Sequence, residues 1–136
     1  MIIALSLITA ILLLTFVPLL TNPARRPHEM IKKQILRITP LGTDIDDVIK
    51  VIESRNDWES PNINRSLGFA PLSPGRRGPP PDGQPDLFRI GEMSVSSYMG
   101  SYRNWFLFLV TDVSIFWGFD ADGKLIEVYI WKVSGG

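Results

Sequence analysis

Cysteine is absent from this chain of 136 residues, and histidine occurs once. Without thiols there is no disulfide scaffold, no thiol nucleophile and no thiolate site for zinc or an iron–sulfur cluster. A single histidine excludes a multi-histidine metal site within one chain. Net charge is missing as well, because 14 basic and 14 acidic residues cancel. The hydrolase signatures G-x-S-x-G, S-x-x-K and H-E-x-x-H do not occur. What is present is an apolar fraction of 45% in a length that allows one small domain.

The neutrality is a cancellation between two unlike pieces. Residues 1–40 carry Arg25, Arg26, Lys32, Lys33 and Arg37 against Glu29 alone, a net of +4. Residues 41–136 carry 9 basic and 13 acidic residues, a net of −4. That negative balance disfavours nucleic-acid binding by the domain.

Apolar residues are divided as unevenly, with 16 in the first 20 positions. Ile2 to Leu20 holds no charge, and 19 residues at ~1.5 Å each cover close to the ~30 Å hydrocarbon core of a bilayer. A cleaved signal peptide is the competing interpretation. No Lys or Arg precedes the run, the run exceeds the usual apolar core of a leader, and Thr21-Asn22-Pro23-Ala24 is a poor cleavage site. The sequence therefore predicts a retained single-pass anchor over 1–22 that holds the protein to membrane lipid. A basic segment, 23–42, follows, with Arg25, Arg26, Lys32 and Lys33 at the membrane surface. Charge beyond the span and none before it favours a cytoplasmic domain.

Beyond the anchor, His28 to Ile38 has Ile31, Ile35 and Ile38 at helical spacing and ends before Thr39-Pro40. Thr43 to Arg55 reads as a second helix, with Thr43 and Asp46 as a capping box and an apolar stripe of Ile45, Val48, Ile49 and Ile52. In the stretch 68–85, ten of 18 residues are Gly or Pro, which marks an insert or linker.

From Leu87 the pattern is β. Strands are expected over Leu87–Ile90, Met93–Met99, Trp105–Val110, Val113–Phe119 and Leu125–Val133, with a turn at Asp120-Ala121-Asp122-Gly123. Val113, Ile115, Trp117 and Phe119 alternate on one face with Phe116 opposite, and Ile126, Val128 and Ile130 form the natural core side of the last strand. No helix separates consecutive strands, so the sheet should be antiparallel. The expected fold is α+β: an N-terminal transmembrane helix, then two short helices packed on a three- to four-stranded antiparallel sheet, a two-layer sandwich. The domain would span 43–136.

Ile38-Thr39-Pro40-Leu41-Gly42-Thr43 opening a helix, followed by a meander that ends Phe116-Trp117-Gly118-Phe119-Asp120-x-Asp122-Gly123-Lys124-Leu125, resembles the small envelope domains of the SmpA/OmlA type. The same helix–helix–three-strand order occurs in β-lactamase-inhibitor-like domains. Val113–Lys132 is similar to a recurring ending in small bacterial proteins. The resemblance runs over 38–133 in element order and is specific over the final hairpin. It implies a non-enzymatic protein-binding module on the extracytoplasmic side, the opposite side to the one the flanking charge favours. This chain lacks the lipidation cysteine of such domains and adds the Pro-rich insert.

Individual motifs carry little chemistry. Gly118 to Lys124 fits the front of a phosphate loop, but Leu125 stands where the Mg²⁺-binding hydroxyl belongs and a strand follows. Asp120-x-Asp122-Gly123 lacks the rest of a calcium loop. Asp44, Asp46 and Asp47 suit a helix start by dipole complementarity, without a metal. His28 has no orienting partner in sequence. Asn64-Arg65-Ser66 is a glycosylation sequon, meaningful only in a eukaryotic secretory setting. Pro71-x-x-Pro74 and Arg76 to Pro81 read as a stiff solvated loop before they read as a ligand for a proline-binding domain.

The aromatics remain. Trp105, Phe106, Phe108, Phe116, Trp117, Phe119, Tyr129 and Trp131 fall on both faces of the strands, and one helical layer covers only one face. Trp105, Trp117, Tyr129 and Trp131 are therefore the candidate binding residues, for a protein partner at the aromatic sheet face. The alternative is that the loop 56–86, with Trp58, Phe69 and Leu72, folds over that face. No cofactor, metal or small-molecule substrate is expected. A small enzyme built on clustered carboxylates and a structural envelope protein without a specific partner are the competing functions.

Overall fold

The computed structural model describes residues 1–70, 89–104 and 108–135, with the side chains of 15–21 left out. The elements in chain order are helix α1 (Ile2–Thr21), a 3₁₀ turn (Pro23–Arg25), helices α2 (His28–Ile38) and α3 (Ile45–Glu53), and strands β1 (Asn62–Asn64), β2 (Met93–Asn104), β3 (Leu109–Phe119) and β4 (Leu125–Gly135). The strands form one antiparallel sheet in the order β1-β2-β3-β4. The α+β class and an antiparallel sheet of four strands agree with the sequence pattern, but β1 lies in the loop 56–86, where no strand is expected.

The large apolar side chains described on α1, from Ile2 to Leu14, are at least half exposed. With 15–21 left out, the described part of no helix is long and apolar enough to cross a membrane.

α2 and α3 lie on one face of the sheet because each presents a short apolar stripe at helical spacing. Ile31 and Ile35 of α2 and Ile45, Val48 and Ile52 of α3 are buried with Val95, Val113, Ile115, Trp117, Phe119, Leu125, Val128 and Ile130 of the strands. Ala24 of the 3₁₀ turn joins the same core, so the basic segment 23–42 is part of the domain rather than a tether to it. Ile38 leaves the stripe and is exposed.

α3 is shorter than its sequence pattern. It starts at Ile45, after Asp44, and the capping box fails: Thr43 turns its hydroxyl to the Pro40 carbonyl, and Asp44 makes no side-chain cap. The α2–α3 connection is used elsewhere. Gly42 donates to the Leu125 carbonyl, Leu125 donates to that of Thr43, and Ile45 donates to that of Gly123. The start of α3 is thereby tied to the β3–β4 turn, where Asp120 Oδ1 caps the Asp122 and Lys124 amides and Gly123 takes φ +76.

Three strand expectations need correction. Ile90 makes an isolated bridge to Phe69 rather than a strand, while Leu87 lies outside the described residues. The apolar run Trp105–Val110 is not one strand, because pairing of β2 with β3 stops at Asn104↔Leu109 and Phe108 is in a turn at φ +52. On β4, a register shift beside Gly118/Phe119 pairs Phe119 with Leu125 and Gly118 with Glu127. Ile126 is the extra residue of this bulge and is 44% exposed, so Leu125 takes the core position that alternation gave to Ile126.

The structure splits the segment after α3 between the two faces of the sheet. Trp58 is buried on the helical side, with its ring 6.0 Å from that of Trp117. Phe69 is buried on the other side. The Pro-rich motifs from Pro71 to Pro81, and Leu72 with them, lie outside the described residues.

Candidate functional site

The outer face of the sheet is built by the strand alternation that sends Val113, Ile115 and Trp117 inward. It leaves Ser114 and Phe116 on β3 and Tyr129 and Trp131 on β4 pointing away from the helices, and cross-strand pairing sets Phe116 beside Tyr129 and Ser114 beside Trp131. Phe69 closes one end of this row, with ring centroids 5.8 Å from Phe116 and 6.1 Å from Tyr129. Phe116 in turn lies 6.0 Å from Trp131. These spacings are those of interacting aromatic pairs. Phe116, Tyr129 and Trp131 remain half-buried.

Gly118 makes the closure possible. A Cβ there would lie 2.8 Å from Phe69 Cε1 and 3.1 Å from the Ile90 carbonyl. Gly68 is tighter, since a Cβ would sit 2.1 Å from the Gly91 carbonyl oxygen. The sequence marks both only as glycines. The need for them comes from strands about 20 to 50 residues away in the chain.

Of the four proposed binding residues, the structure brings Tyr129 and Trp131 together on this face. Trp117 is a correction: it is fully buried in the core, and its indole N–H donates to the Thr39 hydroxyl at 3.1 Å, so it presents nothing to a partner. Trp105 lies outside the described residues.

The four membrane-surface residues separate as well. An Arg25 guanidinium nitrogen donates to the Arg103 carbonyl at 2.9 Å, and the group lies over the Tyr102 ring. Lys32 pairs with Glu127 at 2.8 Å. The Arg26 carbonyl accepts from Lys132 Nζ at 2.6 Å. Lys33 is exposed.

The aspartates at the start of α3 have cationic partners. Asp44 pairs with Lys124 at 2.6 Å, Asp46 with Arg65 at 2.8 Å, and Asp47 approaches Lys50 at 3.9 Å. Among the described residues no group of three His, Cys, Asp or Glu could hold a metal ion. The Asp44 hydrogen bond raises the Lys124 pKa, with the Asp44 charge adding to it. The Lys32 hydrogen bond holds Glu127 below the usual carboxylate range. Partial burial, then the charge of Lys132, lowers His28. The Lys124 and Glu127 shifts thus come from hydrogen-bonded ion pairs and the His28 shift from partial burial.

Two open hollows flank the domain. One, about 260 Å³, lies between α2 and the segment after α3, and is lined by Arg26, Arg37, Arg55, Asp57, Trp58 and Met99 among others. The other, about 680 Å³, lies by the β3–β4 turn and includes Glu92, Asp120, Asp122 and Arg89 in its lining. Asp120 is already spent on the turn. No family model, curated protein or solved structure matches the chain.

Proposed function

We propose that this protein is a membrane-anchored, non-catalytic module that receives another protein on the outer face of its sheet. The observation that carries the anchor is α1. Its 20 residues hold no charge, and its large described apolar side chains are at least half exposed. A helix of this composition in water would expose apolar surface on every side, at roughly 25 cal/mol per Å². At ~1.5 Å per residue its length suits the hydrocarbon core of a bilayer.

For the outer face, the support is the half-buried row of Phe116, Tyr129 and Trp131 with Phe69 at its end. Tyr and Trp of this kind, with an apolar body and a polar tip, are the side chains most often found at the centre of protein interfaces. The order of two helices followed by an antiparallel meander is also that of the SmpA/OmlA-type binding domains that the sequence resembles.

The two parts are tested separately in the full chain. Ile8→Arg with Leu12→Arg should move the protein from the alkali-resistant membrane pellet to the supernatant, since each central arginine costs about 2.5–3.5 kcal/mol. An unchanged pellet fraction rejects the anchor. Tyr129→Ala with Trp131→Ala should lower the melting temperature far less than Trp117→Ala, and a photo-crosslinker at position 131 should join another polypeptide. Unfolding of the double variant would make these residues core and reject the binding face.

A further inference from the structure

The way α1 joins the domain gives the domain two unlike ends. Asn22, the first residue after α1, donates from Nδ2 to the Ser101 carbonyl, and Arg25 donates to that of Arg103. Both acceptors lie in the last four residues of β2, next to its tip. Lys132, near the end of β4, binds the Arg26 carbonyl. α2 then leads away along the sheet, and the chain reaches the β3–β4 turn at the opposite end, where Gly42 bonds to Leu125. The β2–β3 tip is therefore at the end from which α1 departs, and Asp120 to Lys124 are at the far end.

Phe108 occupies that near tip. It is 83% exposed, the most exposed large apolar side chain after α1 among the described residues, and its φ of +52 is the one positive value there at a non-glycine residue. It belongs to the longest apolar run in the sequence after residue 20. Exposed cationic Arg103 lies near the end of β2, opposite Val110. From Ser101 to the end of β2 is only ~10 Å at ~3.3 Å per residue, so Phe108 is close to the level at which α1 ends.

We infer that Phe108, just beyond the last β2–β3 pair, is a second membrane contact, with its ring seated in the interfacial layer of the bilayer that holds α1. The inference rests on α1 being an anchor. An aromatic ring suits that layer, and Arg103 and Arg25 at the same end of the sheet suit anionic headgroups. Two contacts on one surface, the helix and the tip, fix the tilt of the domain, which one helix followed by a free linker would not.

The absence of native cysteine allows a direct test. Phe108→Cys and, as a far-end reference, Ala121→Cys are each labelled with an environment-sensitive fluorophore in the full chain. Both are reconstituted into phosphatidylcholine–phosphatidylglycerol vesicles. The label at 108 should shift to the blue and lose most of its emission to nitroxide-bearing lipids, while the label at 121 should be quenched by aqueous iodide instead. Failure of both proteins to float with vesicles would reject the anchor, and the tip contact with it. Flotation with water-like emission at 108 would reject the tip contact alone. A disulfide-linked dimer through unlabelled Cys at 108, without lipid quenching, would also overturn it by assigning the tip to a second copy.

Discussion

The Thr39 hydroxyl joins the two layers of the domain at a fully buried point. It donates to the Ile35 carbonyl at 2.8 Å and accepts from the Trp117 indole, so it ends α2 and satisfies the largest side chain of the core at once. Thr39→Val keeps the shape and removes both bonds. Leaving a buried indole N–H without an acceptor costs about 1–3 kcal/mol, a loss to be read from urea unfolding, whereas Thr39→Ser should recover most of it. Gly118→Ala tests the other face. Its methyl group displaces Phe69, and overpacking of this kind costs about 1–3 kcal/mol. Tyr129 should become more accessible to solvent at the same time. Sequence alternation sets Ile115 and Trp117 on the opposite face from Phe116 but does not say which face is the core, which is why Trp117 stands among the candidate binding residues although it is buried. Alternation placed no constraint on the partner of the Trp117 N–H, because a contact between residues 39 and 117 has no local signature.

At the scale of elements, α2 is held to β4 by an ion pair whose pH dependence can be worked out in sign. Glu127 has a lowered pKa because Lys32 hydrogen-bonds the charged form, with a backbone bond from Val128 helping. Its contribution to stability is complete above the ordinary carboxylate range and is lost as pH falls through the lower, folded-state value. His28, also on α2, is lowered by burial and by Lys132. Its neutral form is favoured in the folded state, so stability falls as pH drops below its ordinary value of 6.5. Unfolding measured against pH should show both losses, and Lys32→Ala should reduce the acid one while His28→Gln removes the step near neutrality. The partial exposure of Lys32 and Glu127 keeps the effect small.

The elements themselves were legible in the sequence to different degrees. α2 matches its expected bounds because proline and isoleucine spacing are local signals. α3 is shorter because residues 42–45 are drawn into bonds with Gly123 and Leu125, which no propensity encodes. Ile126 misled because a bulge shifts the two-residue period by one, and the apolar run through Phe108 misled because composition does not distinguish a strand from an exposed tip.

For the whole molecule, the sequence's charge cancellation becomes an axis. The basic residues Arg25, Arg26, Arg103 and Lys132 outnumber Asp112 where α1 departs, and Asp44, Asp120 and Asp122 outnumber Lys124 at the far end. Such a charge arrangement favours an anionic surface at one end and repels it at the other. With the positive charge after the span, a reporter fused after Gly136 should be active in the cytoplasm, and activity confined to the opposite side would reverse that assignment.

The passage of the chain from Trp58 on one face to Phe69 on the other also decides which border of the sheet is open to assembly. To change faces it must go around β2, and there β1 pairs with Ser94 to Ser96 while Glu59 bonds to Tyr98. Among the described residues, the opposite border, β4, has a backbone partner on its outer side only at its first residues, from 42–45. The bulge at Ile126 and the charges of Glu127 and Lys132 are features that discourage a foreign strand from adding there. Any growth of the sheet, whether by strand donation or by aggregation of misfolded copies, is thus directed to the C-terminal strand, and removing those two charges together should make the protein polymerise from that side.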